Sequence, residues 1–269
     1  MRRLGSALTN LDRMDFNGVR LEQSGRIATV ILARPEKRNA LSLEMLRSVI
    51  KAFESVPSDA GVVILAAEGS VFSAGHDLAE MIDRPDDYYS ELFSSCTRMM
   101  EGIHTLPQPV IARVQGVATA AGCQLVASCD LAVASEDAWF ATPGVSIGLF
   151  CSTPLVPVSR AVGHKRAMEM LLTGDAISAR QAVEWGLINQ AVPSQELDEA
   201  VAELANKILR FSSKTIATGK QAYYAQSELP ETAAYEITEP IMAENAGRDD
   251  AQEGMSAFLE KREPDWPDQ

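Results

Sequence analysis

The chain is expected to fold as an α/β protein with more than one sheet layer, on three grounds. Short apolar, β-branched runs of the kind buried on both faces of a sheet recur through the first two thirds of its 269 residues. Amphipathic helical stretches alternate with these runs, which implies strand, strand, helix units in succession. Nearly everything from Ser194 onward reads as helix alone.

Taken in order, residues 19–34 (through GRIATVILAR) read as a strand pair, and the turn RPEKRNA leads to Ser42, which can cap SLEMLRSVIKAFESV. Leu43, Leu46, Ile50 and Phe53 give that helix one buried stripe. GVVILAAEG is a buried strand. After FSAGHDL comes a helix carrying Leu92, Phe93, Cys96, Met99, Met100 and Ile103, which ends at PQP. PVIARVQG is the next strand, with VATAAGCQLVASCD as its helix and Asp130 as that helix's cap. LAVAS and AWFATP are two more strands, and helix resumes over 166–173. Ser178 and Gln181 form a capping box, and GLINQAV is the last strand. Residues 1–13 are expected to be a disordered tail, 14–193 the α/β core, and 194–269 a helical region of the oligomerisation or lid type.

Composition narrows the function. With 46% apolar residues the chain can bury a sizeable core. Lys and Arg total 24 against 37 Asp and Glu, a formal charge of −13, so no broad basic surface is available for a nucleic acid backbone. The longest apolar stretch is broken by Gln115, Gln124 and Asp130, so no membrane partner is expected. The four cysteines, Cys96, Cys123, Cys129 and Cys151, have no metal-ligand spacing and read as buried reduced thiols, so no metal site is expected. The chain reads as soluble and cytoplasmic. GVATAAG lacks the spacing of a dinucleotide fold and no P-loop lysine is present.

Two stretches share one character. FSAGHDL and VATAAGCQ each follow a strand, turn on small residues (in the second, Ala118, Ala120, Ala121 and Gly122), and then expose polar groups. Backbone N–H groups from two such turns can converge on one oxygen, and the first turn of a helix has N–H groups without internal partners. Docking of an anionic group is the chemistry this favours.

RPEKRNALS, VFSAGHDL, PVIARVQGVATAAGCQLVASCDLAVAS, FATPGVSIGL and GMSAFLEKREP, in that order, resemble the crotonase (enoyl-CoA hydratase/isomerase) superfamily from about residue 16 to residue 263. The resemblance implies a crotonase-like spiral of ββα units with a C-terminal helical oligomerisation region. It implies an acyl-CoA substrate, with coenzyme A entering as part of that substrate and no permanently bound cofactor. By the same resemblance, the backbone N–H groups of His76 and Ala121 hold the thioester oxygen. Ala74, His76, Asp77 and Leu78 lie along the adenine and pantetheine portion, and Arg34 and Lys37 lie where basic residues meet the phosphates. Phe258 and Lys261 match positions that reach a neighbouring subunit's adenine site, so a homotrimer or dimer of trimers is expected.

The family's hydratases use two glutamates, and this chain has Gln124 at the first position and Gly144 at the second. An amide can orient a water but cannot hold its proton. Removing one acid or base costs roughly 10² to 10⁴ in rate, so weak or no hydratase activity is expected. Some isomerising relatives place a carboxylate eight residues beyond the second glutamate, where this chain has Ser152. Cys151 and Ser152, on a loop expected to face the acyl pocket, are the candidate substitutes, together with the His76 ring. An enzyme stabilising a thioester enolate is the leading expectation. A catalytically silent acyl-CoA binder, or a thioester hydrolase or lyase on the same scaffold, are the alternatives.

Overall fold

The computed structural model describes residues 13–266. Its first strands, β1 (Arg13–Phe16), β2 (Val19–Ser24) and β3 (Ile27–Leu32), form an antiparallel meander. Arg13 pairs with Glu22, so the core begins one residue earlier than expected, and the rest of the tail assigned to 1–13 lies outside the described residues. Helix α1 (Leu43–Glu54) starts where Ser42 Oγ accepts the Met45 N–H at 3.1 Å. It buries Met45, Leu46, Val49, Ala52 and Phe53. Leu43 and Ile50 are only half-buried, so the apolar stripe is rotated from the one the spacing suggested.

From there the chain repeats a unit of one long strand, one short strand and a helix. The units are β4 (Val62–Ala67), β5 (Val71–Ser73) and α2 (Asp86–Thr105), then β6 (Val110–Val114), β7 (Val117–Thr119) and α3 (Ala121–Ser128). The third is β8 (Leu131–Ser135), β9 (Trp139–Ala141) and α4 (Leu155–Val162). Then follow α5 (His164–Thr173), β10 (Ile177–Ser178), α6 (Ala179–Trp185) and β11 (Gln190–Val192). Long strands enter a seven-stranded sheet ordered β1-β2-β3-β4-β6-β8-β11, and short strands enter a four-stranded sheet ordered β10-β9-β7-β5. This is the ββα spiral with two sheet layers, and because each unit places one strand in each sheet, β5, β7 and β9 run parallel.

The stretch read as a single helix after PVIARVQG is therefore a strand, β7, followed by α3. Helix α4, absent from the sequence reading, begins at a proline-flanked segment. Pro154 occupies its N-cap and Pro157 its first turn, where no N–H is needed for the helix ladder.

The C-terminal region is helical: α7 (Leu197–Leu209), α8 (Ser213–Gln226), α9 (Glu231–Ala246) and α10 (Asp249–Glu260). Helix α7 buries Leu197, Val201 and Ala205 against Val62, Ile111 and Val133 of the large sheet. Helix α8 is held by a polar network. Asp130, expected to cap α3, instead accepts the Val110 N–H at 2.7 Å, the Tyr224 hydroxyl at 2.8 Å and the Lys220 ammonium at 2.7 Å. Lys220 Nζ also donates to the carbonyls of Ile103 and Gln108, at 2.7 and 2.8 Å. The His104 ring stacks on Tyr224 at 4.0 Å and hydrogen-bonds the Ser128 carbonyl at 3.0 Å. The Lys220 side chain is 6% exposed and that of Asp130 15%, so each charge depends on the other for solvation.

Lys220→Met should therefore destabilise the fold by about 3–5 kcal/mol in urea unfolding, because it leaves Asp130 charged and unpaired. Adding Asp130→Leu should recover part of that loss. A single replacement without effect would show that the pair does not hold α8.

Candidate active site

Three parallel strands, β5, β7 and β9, end at the same edge of the small sheet. Beyond their last residues come Ala74–Gly75–His76, Ala120–Ala121 and Thr142–Pro143–Gly144. Strand topology thus puts the turns that carry His76, Ala121 and Gly144 at one edge.

The first two turns touch. Gly75 has φ +85°, and a Cβ there would lie 2.9 Å from Ala120 Cβ and 3.3 Å from Ala121 N. A Cβ on Gly122 would lie 2.3 Å from the Ser73 carbonyl oxygen. Gly122 is therefore small so that α3 can pack on β5, and Ala118 is wholly buried within β7, so neither is small for a ligand's sake. Ala120 sits at φ 51° and ψ −118°, a strained conformation for a residue with a side chain. Its own N–H donates to the Ala141 carbonyl at 2.9 Å, and Ala121 becomes the first residue of α3, whose N–H has no place in the helix ladder.

The turn carrying His76 is held by the segment 38–41. The Leu41 N–H donates to the Gly75 carbonyl at 2.8 Å, and the Ala74 N–H to the Arg38 carbonyl at 3.1 Å. Asn39, which sequence reading passed over, organises this segment. Wholly buried at φ 50°, it donates to the Glu68 and Val71 carbonyls at 2.9 and 2.8 Å and accepts the Arg34 N–H at 2.9 Å. An amide in a turn between a strand and a capped helix was the available signal. The His76 ring lies edge-on to Phe93 at 5.3 Å, and its Nδ1 is 3.1 Å from the Leu41 carbonyl oxygen. Burial pulls the pKa of this imidazole below its ordinary value.

Gln124 is 4% exposed, and its Oε1 accepts from the Cys96 thiol at 3.9 Å. Gly144 is walled in: a Cβ there would lie 2.0 Å from the Leu149 carbonyl oxygen and 2.9 Å from Cys151 Sγ. The space where a side chain would start is filled by the loop that follows. Cys151 is buried in the main core with its thiol beside the Gly144 N–H, and burial raises its pKa. Ser152 is exposed and its hydroxyl donates to the Phe150 carbonyl at 3.4 Å. Neither has the setting of an activated nucleophile. Burial likewise pushes the thiols of Cys96 and Cys123 up to about 12, and all four cysteines are free.

The other expected ligand contacts divide. Arg34 is committed to Asn17 at 2.6 Å and Glu44 at 3.1 Å, whereas Lys37 is exposed. Asp77 caps the turn that begins at Leu78 by accepting the Ala79 N–H at 3.1 Å, and Leu78 is largely exposed. Phe258 and Lys261 belong to α10 and its cap, which pack against α8 and α9, and Phe258 is 83% exposed. A separate groove of about 560 Å³ runs between the C-terminal halves of α1 and α2, lined by Ile50, Phe53, Met99 and Gln108 among others. Among the described residues no helix is long and apolar enough to cross a membrane.

The fold is that of the crotonase class, and the chain belongs to the enoyl-CoA hydratase/isomerase family, whose profile matches residues 22–269. It is 48% identical over 243 residues to human enoyl-CoA hydratase domain-containing protein 3, mitochondrial, covering 89% of this chain and 80% of that protein. It is 47% identical over 249 residues to the Xenopus laevis protein of the same name, covering 91% of this chain and 85% of that one. Among solved structures it superposes on an enoyl-CoA hydratase from Mycobacterium smegmatis with a TM-score of 0.91 at 47% identity, covering 93% of this chain and 98% of the other. For the human domain-containing protein 3 structure the TM-score is 0.90 at 46% identity, with 93% and 100% covered.

The comparisons overturn the cytoplasmic expectation. The vertebrate relatives and a Dictyostelium discoideum probable enoyl-CoA hydratase are named as mitochondrial proteins. Cysteine usage and hydropathy distinguish secreted and membrane chains from the rest, and they carry no information that separates one reducing compartment from another.

Gly144→Ala should cost about 1–3 kcal/mol in thermal unfolding, through overpacking against the Leu149 carbonyl. A neutral result would mean that the 149–151 loop yields easily and that the position can accept a side chain.

Proposed function

We propose that the chain is an acyl-CoA-handling enzyme that stabilises a thioester enolate between the N–H groups of His76 and Ala121. The single observation supporting this is the contact of the Gly75 and Ala120–Ala121 turns at one strand edge. Chemistry at the α-carbon of an acyl thioester moves charge onto the thioester oxygen. Each aimed N–H donor is worth about 3–4 kcal/mol against that charge. The dipole of α3, whose first residue is Ala121, adds stabilisation of the same sign.

Hydration by two carboxylates is not the expected reaction. Gln124 and Gly144 stand where the family resemblance puts the glutamates, and Gly144 has no room for a side chain. We assign lyase or isomerase chemistry at an enolate, with weak or no hydratase activity. Arg34, whose Nη2 meets Asn17 and Glu44, and the exposed Lys37 are the cations offered to the coenzyme A phosphates. In this reading the chain works as a homotrimer or dimer of trimers. Tyr235, Met242, Phe258 and Leu259, 65–83% exposed on α9 and α10, supply apolar surface for that assembly.

A panel of saturated and unsaturated acyl-CoAs of varied length, followed for enoyl absorbance and for released thiol, tests the reading. It is expected to give binding throughout, little loss of enoyl absorbance and no stoichiometric thiol release. Hydration of crotonyl-CoA at a rate typical of two-glutamate enzymes, or failure to bind any acyl-CoA, would overturn it. Ala121→Pro removes one N–H at the first position of α3. It should lower kcat/KM by about 10²- to 10³-fold, and the thermal transition should fall as well, because Ala120 is held at φ 51° and Gly75 lies against this nitrogen.

A further inference from the structure

His76 contributes an imidazole as well as a main-chain donor. The ring's Nδ1–H donates to the Leu41 carbonyl at 3.1 Å, a bond that only the protonated nitrogen can make. This fixes the tautomer, so Nε2 carries the lone pair. Nε2 is buried and has no hydrogen-bond partner among the described residues. A buried acceptor without a partner is rare in a folded protein and is expected where a ligand or reacting group supplies the missing contact.

Helix α2 shows what this nitrogen lies near. Phe93 meets the His76 ring edge-on at 5.3 Å. Cys96, three residues further and on the same face of the helix, meets Gln124 Oε1 at 3.9 Å. The imidazole and the Gln124 amide thus contact residues three apart on one face of α2. Gln124 cannot hold a proton and Gly144 has no side chain, so His76 is the side chain at this edge with a proton site available near neutral pH.

We infer that the His76 imidazole is the proton carrier of this site, taking a proton from the α-carbon of the bound acyl thioester at Nε2. The inference rests on the oxyanion reading above. In the step, the Cα–H bond breaks and the proton forms a bond to Nε2. The electron pair moves into the thioester, and the resulting enolate oxygen is held by the His76 and Ala121 amides. The imidazolium then returns the proton to the α-carbon, or to the γ-carbon of an unsaturated chain, which shifts the double bond. No oxidant or second substrate is consumed.

The surroundings suit a neutral base. Neither of the ring's recorded contacts, the Leu41 carbonyl and Phe93 on α2, carries a charge, and the Cys96 thiol further along α2, pushed up to about 12, is uncharged. Burial lowers the imidazole's pKa from 6.5, and the Leu41 hydrogen bond only partly opposes this. Nε2 is therefore unprotonated through neutral pH, and its capacity to accept a proton falls as pH drops below the ordinary value. A thiol carrier such as Cys151, with a raised pKa, would instead give a rate that climbs in alkali.

The test is deuterium incorporation at C2 of butyryl-CoA in D₂O, followed by mass spectrometry with the full chain, beside calorimetric binding of the same ligand. The wild-type chain should exchange at a rate flat through neutral pH and falling only in acid, below the ordinary imidazole range. His76→Asn keeps an amide N–H for the Leu41 carbonyl and the main-chain donor, and it removes Nε2. It should bind butyryl-CoA within about threefold of wild type and exchange about 10²- to 10⁴-fold more slowly. Exchange by His76→Asn at the wild-type rate, or no wild-type exchange despite binding, would overturn the assignment of His76 and leave the oxyanion reading standing. Absence of wild-type butyryl-CoA binding would overturn both. Should His76→Asn fail to fold, the wild-type pH profile decides: a rate that falls in acid below the ordinary imidazole value supports a buried imidazole as carrier, and a rate that rises in alkali excludes it.

Discussion

The parallel pairing of β5 with β7, and the contact it forces between the turns that follow them, is the constraint on which the candidate site depends. Val71 pairs with Val117 and Ser73 with Ala118, so the two chains leave the sheet side by side. Only residues without bulk permit what happens next. Gly75 at positive φ lies against Ala120, and Gly122 lies against the Ser73 carbonyl. Ala120 tolerates a strained backbone in the process, of a kind that costs about 1–3 kcal/mol and persists only where the surroundings over-determine it. The strain sets the direction in which α3 starts, and with it the direction of the Ala121 N–H.

The two ends of α3 are fixed by different means. Its N-terminus is set by the strand pair. Its C-terminus meets a buried polar network in which the His104 ring reaches the Ser128 carbonyl and Asp130 gathers Val110, Lys220 and Tyr224. Lys220 and Tyr224 come from α8, so the helical C-terminal region is tied to the same short helix whose other end faces the site. Burial lowers the Lys220 pKa, and the adjacent Asp130 carboxylate opposes that shift. The charge is kept because its partner and two main-chain carbonyls replace water.

The chemistry open to this edge follows from what has been removed. Elsewhere in the family, as the resemblance implies, carboxylates do the proton work. Here Leu149 and Cys151 have closed over Gly144, and Gln124 is a buried amide bonded to a thiol. The turns that carry His76 and Ala121 stay in contact, whereas the Gln124 and Gly144 positions offer no carboxylate.

Most of the secondary structure was legible because the apolar spacing of this chain is locally consistent: GVVILAAEG, PVIARVQG and LAVAS are strands, Ser42 caps α1, and Ser178 with Gln181 forms the capping box. What failed locally did so where three-residue strands and prolines meet. β7 was absorbed into a helix because its partner β5 is 46 residues away, and α4 was missed because prolines acceptable in a first turn read as breakers. By itself the sequence determined the α/β class, the helical C-terminal region, the two small-residue turns and, through its motifs, the family. Only the tertiary structure decided that Asp130 serves α8 and does not cap α3, that Arg34 is engaged, that Cys151 is core, and that Gly144 has no space beside it. Each of these depends on which distant chain segment arrives at a given atom, and residue spacing within one segment carries no information about that.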